Sequence, residues 1–368
     1  MKVGILGGGQ LGRMLALAGY PLGLRFRFLD PKGDAPARPL GEFVRARFDD
    51  LDAVAAFVEG LDVVTWEFEN VPISTARFLA ERVVVRPGPA ALEQAQDRLT
   101  EKKAFQALGI PRAPCRAVDS RQDLLRARTE LRLPAVLKTR RMGYDGKGQR
   151  VLATSADVEE AWEALGGTPL LLEGLVPFER ELSIVGVRGR SGETRFYPLV
   201  ENDHEEGILV RTRAPAEDVP AGLQKLAEGY LRRLLEAVDY VGVMALELFQ
   251  VGEELLANEM APRVHNSGHW TQEGARTSQF ENHLRAVLGL PLGETEAVGW
   301  TAMVNLIGRV PSASAVLRVP GAHLHLYDKA PRKGRKVGHV NVRASDVREG
   351  EQRLRALTRV VMPDGVTM

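Results

Sequence analysis

KVGILGGGQLGRMLALA, residues 2–18, decides the fold class of the amino-terminal third. Residues 2–6 are a short apolar run that reads as a buried strand, and 7–9 form a glycine turn. From Gln10 onward Leu11, Met14, Leu15 and Ala18 recur at helical spacing. Gly7, Gly9 and Gly12 thereby satisfy G-x-G-x-x-G between a strand and a helix, with Asp30 where a ribose-binding acid would sit. The pattern suits a nicotinamide dehydrogenase, but its physics is broader, because backbone N–H groups at a helix N-terminus hold any phosphate. It points to an anion rather than to one cofactor; a tight turn without ligand is the bland alternative. Gln10 adds a side-chain amide suited to a ribonucleotide phosphate or base edge.

Outward from this opening, residues 24–29 read as a second strand, 51–57 as a helix and 63–66 as a buried strand. Strands alternating with helices predict a parallel, right-handed α/β unit, Rossmann-like, over residues 1–98. A charged helix starts at Arg98, and a strand at 135–138 precedes a glycine-rich loop at 143–148, which opens a second domain over 99–290. Residues 170–173, 181–187, 195–199 and 244–249 read as strands of a mixed sheet, and 221–237 as an amphipathic helix. After Pro291 the pattern shortens to brief strands, a basic hairpin-like stretch and a terminal helix, predicting a small β-rich domain over 291–368.

With 368 residues the chain exceeds the roughly 250 that one core sustains, in keeping with several domains. Charge is nearly balanced, 49 basic against 48 acidic residues, so no general attraction to nucleic acid or to an anionic membrane is expected. The lone Cys115 can form no internal disulfide, and no run of about 18 uncharged apolar residues occurs. A cytoplasmic protein is the expectation.

The central segment carries chemistry. Lys138 closes the apolar strand LPAVLK before RRMGYDGKGQ at 140–149, a cation on a rigid strand beside a loop able to fold over phosphates. The Walker A spacing is absent, which disfavours a P-loop enzyme; a plain surface hairpin is the bland reading. Glu173 opens EGLVPF, whose backbone could meet an adenine edge, and Glu181 is spaced for ribose hydroxyls. Glu247 and Glu259, with Asn258, offer the hard oxygen ligands that Mg²⁺ takes while bridging phosphates. The alternative for Glu247 is a salt-bridge partner. In NEMAPRVHNSGHWT, residues 258–271, Arg263 can grip a planar anion such as bicarbonate through parallel N–H bonds, and His265 and Asn266 supply orientable hydrogen bonds. Zinc on His265 and His269 is disfavoured, since Gly268 breaks helical geometry and no third soft ligand is evident.

These motifs resemble the 5-(carboxyamino)imidazole ribonucleotide synthetases of purine biosynthesis, nearly end to end: GGGQLGRM at 7–14, TWEFENV at 65–71, GYDGKGQ at 143–149, ENDHEEGIL at 201–209, the 258–271 stretch, TSQFENHLRAVLGLPLG at 277–293 and GRKVGHVN at 334–341. The resemblance implies the ATP-grasp fold in three domains, a homodimer, and ATP, bicarbonate and 5-aminoimidazole ribonucleotide as substrates, with Mg²⁺ or alternatively Mn²⁺. It implies ATP contacts from Arg98, Lys138, Gly143, Tyr144, Asp145, Gly146, Lys147, Gly148, Gln149, Glu173, Gly174, Leu175, Val176, Glu181, His204, Asn258 and Glu259, and metal on Glu247 and Glu259. Tyr144, Asp145, Arg263, His265, Asn266 and Lys329 would serve carboxylation. Gly9, Gln10, Leu11, Glu67, Arg335 and Lys336 would hold the ribonucleotide, and the product would pass to a separate mutase. Bicarbonate would form carboxyphosphate under a closed Tyr144 loop before the amine attacks, either directly or through released carbon dioxide, with Asp145 as proton acceptor. The resemblance departs at Asp328, where many members carry Gly, and the tail after Gly350 matches no motif. A dehydrogenase, a nucleotide sensor and an ATP-grasp ligase or formyltransferase acting on another ribonucleotide are the rival readings.

Overall fold

The computed structural model describes residues 1–143 and 146–362 of the chain. The opening stretch folds as its periodicity predicts, strand Lys2–Leu6 followed by helix Gln10–Gly19, which buries Leu11, Met14 and Leu15. Four parallel strands form the first sheet, in the order Glu42–Val44, Arg25–Leu29, Lys2–Leu6, Val63–Trp66. Chain order reverses at Lys2–Leu6, so the crevice at the carboxyl ends of Lys2–Leu6 and Val63–Trp66 is a topological switch point. The glycine loop and residues 67–70 project there.

A four-stranded antiparallel sheet follows, in the order Cys115–Val118, Leu170–Gly174, Ala135–Thr139, Gln149–Leu152. Helices Arg121–Leu131 and Asp157–Leu165 cover it through Leu124, Ala127, Val158 and Ala161. Helix Arg98–Ala107 leads into this unit. Asp97 caps it by accepting from the Leu99 and Thr100 N–H groups, and also takes both arms of the Arg140 guanidinium at 3.0 and 2.8 Å.

After Pro291 the chain is β-rich and antiparallel, as its pattern predicts, and its strands join the central sheet: Trp300–Ile307 pairs with Ile208–Ala214, and the strands Lys336–Ala344 and Ala322–Leu326 continue outward from it. One nine-stranded sheet therefore runs from Glu254–Ala261 to Ala322–Leu326. The joint depends on strands Val200–Glu205 and Ile208–Ala214, which reading by apolar periodicity passed over; the strand expected at 195–199 is instead the short Thr194–Phe196. The outer face of this hairpin carries a charge ladder, Arg213 on Glu201 and Asp203 and Arg211 on Asp203, which hides the apolar alternation beneath.

Three register breaks interrupt this sheet, between Glu247 and Leu248, between Asp203 and His204, and between Leu306 and Ile307. In the first, Glu247 faces Glu259 and Leu248 faces Ala257, so Asn258 is the extra residue. Such bulges bend a strand and re-aim its side chains. Asp328, the departure noted above, has φ +56°, a left-handed conformation natural to Gly and tolerated best by Asp and Asn.

The terminal helix Val347–Val361 lies on the carboxy-terminal strands, burying Gly350, Leu354, Leu357 and Val361. A Cβ on Gly350 would stand 2.2 Å from Cε3 of the buried Trp300 indole. A rigid ring cannot step aside cheaply, and overpacking of this kind costs about 1–3 kcal/mol. Gly350→Ala should therefore lower the thermal melt by a few degrees; an unchanged melt would mean that the helix rides free of Trp300.

Candidate active site

A cavity of about 690 Å³ opens where the three sheets meet. The first sheet contributes Gln10, Leu11 and residues 67–70, the small sheet Val136, Lys138, Gln149 and Val151, and the large sheet Glu181, His204, Glu247, Phe249, Asn258 and Glu259. Arg98 comes from the linking helix, Arg263, His265, Asn266 and His269 from the 258–271 stretch, and Tyr327 and Lys336 from the carboxy-terminal strands. One contact fixes the 258–271 stretch against the first sheet and a second ties helix Gln279–Leu288 to it. Trp66 Nε1 donates to Pro262 O at 3.0 Å, and His283, whose Nδ1 accepts from the Val243 N–H, reaches Thr65 Oγ1 at 2.8 Å.

Charge pairing organises the wall. Arg98 donates to Glu259 at 2.8 Å; burial raises this carboxyl, but Arg98 outweighs it and holds the group well below the usual range. Glu259 still keeps 39% of its side-chain surface open, enough to reach a ligand. Glu247, directly opposite, is pushed up by burial and by Glu259. Lys138 lies 2.6 Å from Glu173, whose other oxygen is 2.5 Å from the fully buried Lys102. Although burial pushes Glu173 up, the two ammonium groups bring it down to about 2. Arg263 is held by Glu69. Burial, with Arg263 beside it, lowers His265 to about 3, so this imidazole is neutral. Burial lowers His204 as well, but Glu181, 3.0 Å away, more than compensates and raises it.

Beside these charges lies an apolar slot. Phe178 stacks on Phe249 at 4.7 Å and 9°, flanked by Leu175, Val136 and Val151. A flat heterocycle fits against such a surface, with Glu181 at its mouth.

Several expectations change. Gly9, Gly148, Glu173, Gly174, Val176, Lys329 and Arg335 do not line the cavity. The Glu173 side chain faces Lys102 and Lys138, two buried cations that need its charge, which leaves its backbone as the part that could meet an adenine edge. Lys329 reaches Gln10, and Arg335 donates to Ala330 O at 3.2 Å. The glycine loop at 7–12 holds the chain's own carboxylates: Glu67 accepts from the Gly9 and Gly12 N–H groups and Asp30 from Gly8. Those donors are spent, which removes the basis for a dinucleotide pyrophosphate there. Gly9 thus acts through Glu67. Tyr144 and Asp145 lie outside the described residues. Sequence reading also passed over Glu69, Asn70, Gln96, Phe178, Phe249, His269 and Tyr327 in the wall; the TWEFENV motif was the signal for the first two.

The fold has counterparts among known proteins. Residues 1–96, 103–280 and 301–353 match the family profiles of the ribonucleotide synthetase preATP-grasp domain, the ATP-grasp domain and the phosphoribosylaminoimidazole carboxylase C-terminal domain. N5-carboxyaminoimidazole ribonucleotide synthase of Pseudomonas aeruginosa is 55% identical over 94% of this chain and 95% of its own. The chain belongs to the N5-carboxyaminoimidazole ribonucleotide synthase family. The crystal structure of the synthetase from Thermus thermophilus superposes with a TM-score of 0.94 at 58% identity, covering 100% of this chain and 99% of that one. The Aspergillus clavatus synthase in complex with ADP and 5-aminoimidazole ribonucleotide gives 0.91 at 33% identity, with 98% of both chains covered. Like other members of the synthase family, the protein is an ATP-grasp ligase.

One acid in this synthase wall titrates near neutrality. Burial pushes Glu101 up from the usual 4.5 to about 8, and its carboxyl accepts the Met260 N–H at 2.6 Å. A carboxyl whose folded pKa exceeds its unfolded one keeps a proton that unfolding would release, so its contribution to stability falls as pH rises from about 4.5 to about 8. Glu101→Gln, an uncharged isostere, should raise the melt at pH 8 and leave it nearly unchanged at pH 4.5. A loss of stability at the higher pH would mean that Glu101 is needed as an anion.

Proposed function

We propose that the protein uses ATP to carboxylate the amine of 5-aminoimidazole ribonucleotide with bicarbonate, giving N5-carboxyaminoimidazole ribonucleotide, ADP and phosphate, a step of purine biosynthesis. One observation carries this reading beyond family membership. A single cavity joins a phosphoryl-transfer wall, Lys138, Glu247 and Glu259, to an anion-gripping wall, Arg263 and Asn266, with Gln10 and Lys336 at its far side.

The adenine takes the slot between Leu175 and the Phe178–Phe249 stack, with Glu181 and His204 near the ribose. Lys138 and Arg98 face the phosphates, aided by Gly143, Gly146, Lys147 and Gln149. The residues present suit a magnesium ion, or manganese in its place. Glu247 and Glu259 are two carboxylates in register, and Asn258 Oδ1 is a buried oxygen with no hydrogen-bond partner among the described residues. Among the described residues no group of three or more His, Cys, Asp or Glu side chains is placed to hold a metal ion by itself, so phosphate oxygens and water would complete the shell. The ion would neutralise charge on the transferring phosphoryl group.

Bicarbonate, gripped by Arg263 with His265 and Asn266 beside it, attacks the γ-phosphate. The bond to the bridging oxygen of ADP breaks and carboxyphosphate forms. The amine of the ribonucleotide then attacks the carboxyl carbon, phosphate departs, and the nitrogen gives up a proton. Neutral His265 is suited to orient the carboxylate without competing for it. Asp145 as proton acceptor and Tyr144 as a cover excluding water remain part of this proposal. Lys329, through Gln10, and Lys336 serve the ribonucleotide phosphate. The same reading makes the assembly a homodimer and hands the product to a separate mutase. None of the described helices is long and apolar enough to cross a membrane, in keeping with small-molecule partners.

Purified protein with ATP, magnesium and bicarbonate should release phosphate in proportion to added 5-aminoimidazole ribonucleotide and should not oxidise NADH. Release that ignores the ribonucleotide sinks the proposed acceptor. In the same assay Glu247→Gln should lower turnover at least about a hundredfold, as loss of a preorganised charge does. Because its burial already disfavours the charge, the ligand-free melt of this variant should not fall. Retained turnover would remove Glu247 from the metal set.

A further inference from the structure

Behind the carboxy-terminal wall of the cavity lies a buried polar chain that phosphoryl transfer does not use. His325 and His339 are cross-strand partners on Ala322–Leu326 and Lys336–Ala344, their rings stacked at 4.4 Å. From the cavity outward, Tyr327 Oη is 2.7 Å from His339 Nδ1 and His339 Nε2 is 2.8 Å from Gln272 Oε1. Gln272 Nε2 is 3.5 Å from His325 Nδ1, and His325 Nε2 is 2.9 Å from Glu273 Oε1. The other Glu273 oxygen accepts from Asn341 Nδ2 at 2.5 Å.

A carboxylate only accepts, so His325 donates to Glu273 from Nε2. Gln272 turns its amide nitrogen to His325 and its oxygen to His339. His339 donates from Nε2 and accepts at Nδ1, which obliges the Tyr327 O–H to point inward. Burial pushes His339 well below the ordinary imidazole value, so the ring has no second proton with which to reverse this order. A parallel argument fixes His269. The Gln279 amide is clamped by the His265 backbone, Oε1 taking its N–H at 2.9 Å and Nε2 giving to its carbonyl at 2.7 Å. Its Nε2 also reaches His269 Nδ1 at 3.2 Å, so that buried, neutral ring holds its proton on Nε2. Tyr327 and His269 both line the cavity, on either side of His339.

We infer that Tyr327 Oη, as an acceptor, and His269 Nε2–H, as a donor, form an uncharged pair that holds the uncharged part of the ribonucleotide, with Glu273 as the remote residue that sets the polarity. This rests on the functional reading above. The anions of the reaction have Arg263, Lys138 and Lys336; a neutral donor and acceptor match an O–H or N–H edge, either the ribose hydroxyls or the aromatic amine.

Steady-state kinetics of three variants test it. Tyr327→Phe should raise the KM for 5-aminoimidazole ribonucleotide about three- to tenfold, the worth of one neutral hydrogen bond, with the KM for ATP within about twofold. Glu273→Gln supplies an N–H donor, allows the chain to reverse, and should raise the same KM alone. The double variant should match Tyr327→Phe rather than multiply the two effects. Weaker inhibition of Tyr327→Phe by ribose 5-phosphate assigns the contact to the sugar; unchanged inhibition assigns it to the amine. An unmoved ribonucleotide KM in Tyr327→Phe overturns the proposal, as does Glu273→Gln with wild-type KM or a KM for ATP that shifts in step. Wild-type protein without ribonucleotide-dependent phosphate release would instead overturn the functional reading and this pair with it.

Discussion

Two carboxylates, Glu247 and Glu259, stand directly opposite each other on neighbouring strands, and the chemistry around them is a response to that constraint. Like charges facing across a ladder repel, and burial makes the repulsion costlier. The structure settles it asymmetrically. Arg98 keeps Glu259 ionised, while Glu247, which meets the neutral His265 ring at 3.4 Å, is driven toward its own neutral form. A divalent cation between them would reverse the preference of Glu247, so this pair is built for a state in which more positive charge is present. Lys138 follows the same logic: its ammonium group is held by Glu173, a buried carboxylate shared with Lys102.

Much of this was legible in the chain before any coordinates. The parallel opening, the helix at Arg98 and the strand ending at Lys138 follow from spacing and glycine placement, and the residues of 258–271 advertised an anion site by the variety of their polar groups. The illegible parts share a cause: each depends on what a residue meets across the fold. Glycines 7, 9 and 12 signalled an anion correctly, but periodicity could not reveal that Glu67, some 55 residues later, supplies it. The role of the Glu173 side chain was hidden because Lys102, its buried partner, sits in a helix with no sequence motif to mark it.

The missed strands illustrate a second limit. Within residues 200–214, Glu201, Asp203 and Glu205 on one strand and Arg211 and Arg213 on the next carry charges at alternate positions, and a period-2 pattern of charges is as much a strand signal as one of leucines once a partner ladder exists to neutralise it. Read alone, the segment looks like a polar loop. Read with Arg211 and Arg213 opposite Asp203 and Glu201, it is the hairpin that welds the carboxy-terminal strands to the central sheet.

That weld has a functional consequence. With one continuous sheet, Lys336 and Tyr327 are carried on the same hydrogen-bonded surface as Glu247 and Glu259, and the three register breaks fall beside His204, Asn258 and Lys336. A flat ladder would alternate side chains strictly and could not turn all of these toward one cavity. Each bulge shifts the alternation by one residue and adds local twist, so side chains of strands that are regular elsewhere converge on one cavity. The small sheet bearing Lys138, by contrast, has no ladder to the large one among the described residues, and its attachment runs through helix Arg98–Ala107 and the Lys102–Glu173 bridge. The cavity therefore lies between one wall fixed by backbone hydrogen bonds and another tethered largely by side chains. If either wall moves on binding, it is the side-chain-tethered one, because its attachment does not require a β-ladder to break.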